Sequence, residues 1–122
     1  MLAPFFTPFF TLFPVSSHLI TTVAELEARL APYSRLGAYL TDVVRGHAGN
    51  PPGWSKEIWD IAASAWVINP EWVKTQEEPS PLLGDDLTWM KANGRRTIRV
   101  ATQLYRDAIF ADFFAKAAKQ GK

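Results

Sequence analysis

The stretch from Lys56 to Trp72 reads KEIWDIAASAWVINPEW, and its apolar residues recur at intervals of three and four. This spacing is typical of one face of an α-helix, and it predicts an apolar stripe formed by Ile58, Ile61, Ala62, Ala65 and Trp66. Asp60 falls off the stripe in the first turn, Ser55 is a candidate N-cap, and Asn69-Pro70 predicts the helix end. Other elements must cover such a helix, so the rest of the chain has to supply a core around it.

Length and composition indicate one globular domain. The chain has 122 residues, of which 48% are hydrophobic and 20% are charged, which suits one modest core rather than two domains. Thirteen basic and twelve acidic residues give a net charge of +1, so the overall charge does not favour nucleic acid or an anionic membrane as a partner. Because cysteine is absent, a disulfide framework, a thiolate zinc site and a cysteine nucleophile are excluded.

The chain begins with MLAPFFTPFFTLFP, a segment rich in Phe and Pro. It lacks a basic flank and a small-residue cleavage pattern, and Pro4, Pro8 and Pro14 interrupt any continuous helix. We therefore expect neither a signal peptide nor a transmembrane helix, and we expect a cytoplasmic protein. Residues 1–11 form an atypical start to what we interpret as a single partial domain over residues 1–122.

Short helices and strands are predicted along the N-terminal half. FFTLFPV, from Phe9 to Val15, is aromatic and predicts a buried strand. Thr22 is the expected N-cap of a helix, with Glu25 as its capping-box partner. A second helix is expected from about Ser34 to Arg45, and the loop GHAGNPPGWS follows it. The apolar face of this second helix is formed by Leu36, Tyr39, Leu40, Val43 and Val44.

The C-terminal half predicts strands and a last helix. Residues 70–90 contain many Pro and acidic residues, so we expect loops there, with a short strand near Leu87 to Met90. TIRVATQLY alternates apolar and polar residues, which predicts a half-exposed strand that could pair with Leu87–Met90 as a hairpin. Asp107 is expected to cap a helix whose apolar face is formed by Ile109, Phe110, Phe113 and Phe114.

This mixture indicates an α/β or α+β fold with an incomplete sheet. A doubly wound sheet needs several parallel strands, and the sequence offers one strand before its helices. A lone hairpin near the C-terminus cannot cover three amphipathic helices. We therefore expect part of the sheet to be missing.

Four segments carry a resemblance to a known family: LFPVSSHLITTVAELEARL, SRLGAYL, SKEIWDIAASAWVINPEWV and GRRTIRVATQLYRDAIFADFF. In this order they are similar to the C-terminal part of the inosine-uridine-type, calcium-dependent nucleoside hydrolases, from about Leu12 to Phe114. The most specific piece is IWDIAASAWVINPEW, which combines a Trp-Asp pair with an apolar helix and an Asn-Pro stop. The resemblance implies the C-terminal part of an open, mostly parallel α/β sheet with amphipathic helices and a C-terminal strand pair. It also implies hydrolysis of the N-glycosidic bond of ribonucleosides with a bound calcium ion.

The resemblance implies roles for two residues. Asp60 corresponds to a calcium ligand, and a carboxylate oxygen suits this hard cation. Trp59 corresponds to a residue at the nucleobase side of the pocket, which is a histidine acid in some members and a purine-stacking tryptophan in others. An indole offers a large π face but cannot act as an acid. From the residues alone two alternatives stay open: the helix dipole favours an Asp in the first turn, and Trp59 can belong to the core.

The sequence also departs from the family pattern. The resemblance leads us to expect a DxDxxxDD cluster, which supplies most calcium ligands and the base that activates water, and an asparagine-containing motif that grips the ribose. Neither is present here. Adjacent acidic residues occur at Glu77-Glu78 and Asp85-Asp86, where solvated surface charge is the simpler interpretation. Calcium takes about six to eight oxygen ligands, so Asp60 alone cannot form a complete site, and we expect no catalytic residue in this chain.

Two functions follow as predictions. The first is a truncated nucleoside hydrolase, inactive alone, that handles ribonucleosides when a complementing N-terminal segment completes the site. The second is a non-catalytic interaction or oligomerisation protein that uses an exposed sheet edge, and this edge also predicts self-association. His18 is a weaker site candidate because a lone histidine near a strand end more often has a structural role. His47, in the Gly-rich loop, is expected to be solvated, and Arg95, Arg96 and Arg99 are expected on exposed sheet surface.

Overall fold

A computed structural model of the chain describes residues 9–10, 13–47 and 54–119, with side chains described over 15–47 and 54–119. Its α-helices are α1 (Phe13–Ser16), α2 (Val23–Arg29), α3 (Arg35–Gly46), α4 (Ile61–Ile68) and α5 (Arg106–Lys119). Its strands are β1 (Phe9–Phe10), β2 (Ile20–Thr22), β3 (Ser55–Glu57), β4 (Val73–Pro79), β5 (Leu82–Leu83), β6 (Trp89–Met90) and β7 (Thr97–Leu104). The predicted mixture of helices and strands is confirmed. Among the described helices, none has the length and hydropathy of a membrane span.

Small sheets hold the described strands together, and most of their pairing is antiparallel. The largest sheet has the order β1-β7-β4, in which β4 and β7 are antiparallel over their whole length and β1 lies parallel to β7. β2 pairs with β3, and β5 pairs with β6, both antiparallel. This pairing does not confirm the mostly parallel sheet that the resemblance implies, and that sheet stays a prediction.

The predicted hairpin between Leu87–Met90 and Thr97–Tyr105 is wrong. β7 pairs instead with β4, a segment that we expected to be a loop because of its Pro and acidic residues. Pro79 lies at the last position of β4, where the lack of an N–H group does not interrupt the ladder. Glu77 and Glu78 therefore lie on a strand and not in a surface loop.

β7 contains one extra residue opposite β4. The register shifts between Lys74 and Thr75, which leaves Thr102 as the additional residue of a β-bulge. The Thr102 hydroxyl donates a hydrogen bond to the Lys74 carbonyl at 3.2 Å. Because the bulge changes the alternation of side chains, Ala101 and Leu104 both join the core under the helices.

The core lies between one face of this sheet and the helices. Its buried members are Leu19, Leu26, Leu30, Ala62, Ala65, Val73, Ala101, Leu104, Ile109, Phe110 and Phe114. Phe110 is fully buried, and its ring centroid lies 5.6 Å from that of Phe114. The predicted core-facing stripes of α4 and α5 are confirmed, because both helices contribute to this cluster.

The other face of β7 is also apolar. Ile98 and Val100 are buried there, outside the cluster under the helices. They line a cleft of about 380 Å³, together with Trp89 and Met90 of β6. The sheet therefore has apolar residues on both faces.

Helix starts are only partly as predicted. The Thr22 hydroxyl accepts a hydrogen bond from the Glu25 N–H at 3.1 Å, so the predicted cap of α2 is confirmed. α4 begins at Ile61 rather than after Ser55, because Ser55–Glu57 pairs with β2 as a strand. The predicted end of α4 at Asn69 is confirmed.

The predicted N-terminal strand is shorter than expected. β1 covers Phe9–Phe10, whereas Phe13–Ser16 forms a helical turn, so the strand interpretation of Phe9–Val15 is wrong over its second half. Residues 1–8 and 11–12 lie outside the described residues, and so do residues 48–53 of the loop predicted after α3.

α3 is present as predicted, but it packs through its small residues. Gly37 and Thr41 are buried, and the Thr41 hydroxyl donates a hydrogen bond to the Gly37 carbonyl at 2.8 Å. A Cβ at Gly37 would lie 2.4 Å from the backbone oxygen of Leu30. The close approach of α3 to the turn after α2 therefore depends on the missing side chain at Gly37.

We expect Gly37→Ala to lower the free energy of unfolding by about 2–3 kcal/mol, because the added methyl collides with a backbone group. Gly46→Ala is the matched control in the same helix, since a Cβ there meets no atom within 4 Å. It should raise the free energy of unfolding by up to about 1 kcal/mol. Urea denaturation followed by circular dichroism measures both, and equal effects would contradict the packing described for α3.

Candidate functional site

Trp59 and Asp60 lie in the turn that joins the β2–β3 ribbon to α4. The ribbon is extended by one hydrogen bond, in which the Ile58 N–H donates to the Leu19 carbonyl at 2.8 Å. The chain then turns through Trp59 and Asp60, and the Ala62 N–H donates to the Trp59 carbonyl at 3.1 Å. The position of the Trp-Asp pair is therefore fixed by a strand on one side and a helix on the other.

Asp60 is at the start of α4 and is solvent-exposed, as predicted. Its backbone is helical, with φ −66° and ψ −25°, and its side chain makes no cap hydrogen bond to the helix. A residue that served only as an N-cap would use its side-chain oxygen to accept from a backbone N–H group. The carboxylate is therefore in a position to contact a ligand.

The Trp59 side chain is half-exposed, with 46% of its surface accessible. The Nζ atom of Lys56 lies 5.9 Å from the centroid of its ring, within reach of a cation–π interaction. A core tryptophan would be largely buried, so the core alternative for Trp59 is not supported. Trp59 and the next residue, Asp60, are therefore both accessible to solvent.

His18 lies close to this turn along the backbone. It immediately precedes Leu19, whose carbonyl accepts from Ile58, so His18 and Trp59 flank the same hydrogen bond. The His18 side chain is exposed. His47 ends α3 and is exposed as expected, and its ring also stacks on Trp54 with centroids 5.8 Å apart.

The carboxylates of the chain do not fit calcium on their own. All twelve Asp and Glu residues lie in the described ranges, and no three His, Asp or Glu side chains there are grouped closely enough to hold a metal ion. Asp60 can offer one carboxylate to a cation that takes about six to eight oxygen ligands. The remaining ligands of any calcium site at Asp60 must come from elsewhere.

The Asp85-Asp86 pair has a structural role in the β5–β6 turn. The Thr88 hydroxyl and the Thr88 N–H donate to the Asp86 carboxylate at 2.8 and 3.1 Å. These two hydrogen bonds lower the pKa of Asp86. Asp85 and Asp86 are both exposed, as expected of surface charge, and the structural role in the turn belongs to Asp86.

Arg106, which the sequence analysis did not identify, binds β2 of the β2–β3 ribbon that leads into the Trp-Asp turn. Its Nε and Nη2 atoms donate to the Ile20 carbonyl at 3.1 and 2.8 Å, and Nη2 also donates to the Glu25 carboxylate. Thr21, which is buried, donates from its hydroxyl to the same Glu25 oxygen at 2.8 Å. This network connects β2, α2 and α5.

One sequence signal could have identified this network. Arg106 is the first residue of α5, where the helix dipole disfavours a cation, so a specific partner is required. Burial disfavours the charge and lowers the pKa of Arg106, but hydrogen bonds to Glu25 and Asp107 outweigh it, so the pKa is raised. The guanidinium also lies 4.3 Å from the centroid of the buried Phe110 ring. Arg106 therefore stays charged and supports the ribbon.

The sequence matches no family model, and no curated protein or solved structure matches it. The resemblance to nucleoside hydrolases therefore stays a prediction.

We expect Arg106→Ala to lower the free energy of unfolding by about 1–3 kcal/mol, because the mostly buried Glu25 carboxylate loses its closest cation and keeps only the more distant Arg29, at 3.8 Å. Arg45→Ala is the matched control, since Arg45 forms ion pairs with Glu27 and Asp42 on the exposed surface. Such pairs contribute little, so this variant should be clearly less destabilised. Thermal unfolding followed by circular dichroism compares the two, and an equal loss in both would show that the Arg106 network does not hold the ribbon.

Proposed function

We propose that the chain forms the C-terminal part of a nucleoside hydrolase-type site and contributes its nucleobase-binding and one metal-binding corner. The observation that supports this most is the Trp-Asp turn, where a half-exposed indole and an exposed, non-capping carboxylate are consecutive. A flat aromatic surface suits a nucleobase, and a carboxylate suits a hard cation. In this proposal Trp59 stacks on the base of a purine ribonucleoside, and Asp60 is one ligand of a calcium ion.

The other calcium ligands and the group that activates water have to come from a second segment, because the carboxylates of this chain do not supply them. Because those carboxylates do not group around Asp60, the chain alone does not serve the water-activating step of N-glycosidic hydrolysis. The proposal therefore requires a complementing segment that carries an aspartate cluster and a ribose-binding motif.

The edge of β7 supports an incomplete sheet. On the β4 side β7 is paired from Thr97 to Leu104, whereas on the other side its described pairing is limited to Arg99 and Val100. That second pairing is parallel, which is the arrangement expected of an open α/β sheet. In the proposed fold, further parallel strands extend the sheet from this edge.

A second candidate is a non-catalytic interaction protein. It is favoured by the large apolar side chains that the described surface exposes, among them Leu36, Tyr39 and Val67. Exposed apolar groups of this size commonly mark interaction surfaces. The two candidates differ in what they require of Asp60, because an interaction protein does not need a carboxylate in the turn before α4.

The full chain by itself should not release free base or reducing sugar from inosine above background, with or without added calcium. The reason is that Asp60 and Trp59 supply one metal ligand and one stacking surface and no group that activates water. A reducing-sugar assay measures this. Calcium-dependent hydrolysis by the chain alone, lost in Asp60→Ala, would contradict the need for a complementing segment.

Fusing the aspartate-cluster half of a calcium-dependent nucleoside hydrolase to the full chain should restore calcium-dependent hydrolysis of inosine. In this fusion Asp60→Asn should lower kcat/KM by about a hundredfold or more, because the site loses a charged ligand. Asp85→Asn is the matched control, since this exposed carboxylate lies in the β5–β6 turn and should leave the activity unchanged.

Trp59→Ala in the same fusion should mainly raise KM for purine nucleosides, since stacking on an aromatic ring contributes about 1–3 kcal/mol per base. Initial rates with inosine, at low and at saturating calcium, measure Asp60→Asn and Trp59→Ala. Full activity of Asp60→Asn at low calcium would refute the proposed metal role. A fusion that stays inactive while it is folded and binds calcium would favour the interaction protein instead.

A further inference from the structure

α3 and the turn before it expose an apolar surface that we call the α3 face, formed by Tyr33, Leu36, Tyr39, Leu40 and Val43. Leu36 is 60% exposed, Tyr39 64% and Val43 51%. The three residues lie on one side of the helix, opposite the buried Gly37 and Thr41. Leu36, Tyr39, Leu40 and Val43 belong to the apolar face that the sequence predicts for this helix, and their exposure means that the described residues do not cover it.

Two opposite charges border the α3 face on one side. Arg35 and Asp42 are seven residues apart, close to two helical turns, so they lie on the same flank. Both are exposed, and Arg35 is at the N-terminal end of the face while Asp42 is near its C-terminal end. The flank therefore has a positive end and a negative end.

We infer that the α3 face binds a second copy of this chain, with the two α3 helices antiparallel about a two-fold axis near Tyr39 and Leu40. In a two-fold interface residue i contacts j and j contacts i, so Leu36 of each copy meets Val43 of the other. The same symmetry places Arg35 of each copy opposite Asp42 of the other, which forms two intermolecular ion pairs. In a parallel arrangement the two-fold axis would place this flank of the two helices on opposite sides of the interface, so Arg35 and Asp42 of one copy would not meet those of the other.

The charges favour a second copy of the chain as the partner, because that copy presents an Asp42 opposite Arg35 and an Arg35 opposite Asp42. Asp42 also pairs with Arg45 of its own helix, and Arg45 pairs with Glu27 of α2. The carboxylate of Asp42 is thereby held at the flank, where two guanidinium groups can share it. The parallel arrangement lacks both intermolecular ion pairs, so the charges of the flank favour the antiparallel direction.

The inference is independent of the proposed hydrolase role. The α3 face contains neither Trp59 nor Asp60, and dimer formation requires no calcium and no nucleoside. If the chain dimerises but the fusion is inactive, the dimer proposal holds and the hydrolase proposal fails. If the fusion is active but the chain stays monomeric, the reverse is true.

Sedimentation equilibrium of the full chain tests the inference. We expect a monomer–dimer equilibrium at micromolar concentrations, and we expect Tyr39→Glu to raise the dimer Kd by about a hundredfold or more, because it places two like charges at the axis. Val67→Glu is the matched control, since Val67 is 74% exposed on α4 and lies outside the α3 face. The dimer Kd of this variant should equal that of the original chain. Circular dichroism of each variant reports whether the monomer fold is retained.

A charge-swap series tests the antiparallel geometry. Arg35→Asp and Asp42→Arg should each raise the dimer Kd by about tenfold, since two exposed ion pairs become repulsive contacts. The double variant Arg35→Asp/Asp42→Arg should return the Kd to within about threefold of the original, because opposite charges again face each other. A monomer at all concentrations up to about 100 μM would overturn the inference. So would a dimer that neither Tyr39→Glu nor the single charge swaps weaken, since its interface would lie elsewhere.

Discussion

The hydrogen bonds from Arg106 to the Ile20 carbonyl and the Glu25 carboxylate connect parts of the chain that are far apart in sequence. They fix β2 against the start of α5, and β2 in turn pairs with β3. The Trp-Asp turn follows β3 directly, so its position depends on a guanidinium 46 residues further along the chain. Because α5 also supplies Phe110 to the centre of the core, the same contact relates the core to the candidate site.

This arrangement explains how an exposed turn can be well defined. Trp59 and Asp60 are both exposed, whereas the elements on both sides of them are anchored in the core. Leu19, which bonds to Ile58, is fully buried, and Ala62 at the start of α4 is fully buried as well. Rigid flanking elements are what a binding site requires of its scaffold, since they fix side chains without burying them.

Helices were predictable from the sequence because their signals are local. Thr22 caps α2, Asn69 ends α4, and the apolar stripes of α4 and α5 face the core, all within a few residues of the pattern that indicates them. Strand pairing depends on distant partners, and β4 was missed because Pro79 and its acidic residues resemble a loop when β7 is not considered. The same limit applies to α3, whose apolar stripe predicts burial while the buried side is set by Gly37 against the Leu30 carbonyl.

The candidate site was predictable only in its local part. Asp60 at the helix start follows from the periodicity of the stretch. Arg106 at the first position of α5 indicates that a partner is needed, but its partner, the Ile20 carbonyl, becomes visible only when α5 meets β2. The backbone proximity of His18 to Trp59 also depends on the ribbon between β2 and β3, and no spacing in the sequence indicates it. Residues that act through tertiary contacts are therefore the ones that sequence patterns leave out.

β7 serves two layers of the protein through the alternation of its side chains. Ile98 and Val100 point to the cleft beside β6, whereas Ala101 and Leu104, on either side of the bulge at Thr102, point to the helices. β7 is therefore the middle of a three-layer arrangement, with apolar material on each side. The bulge takes up one additional residue, so Leu104 lies on the same face as Ala101 although it is three residues further along. If Thr102 were instead paired as an ordinary strand residue, Gln103 and Leu104 would exchange faces, and Leu104 would leave the core under the helices.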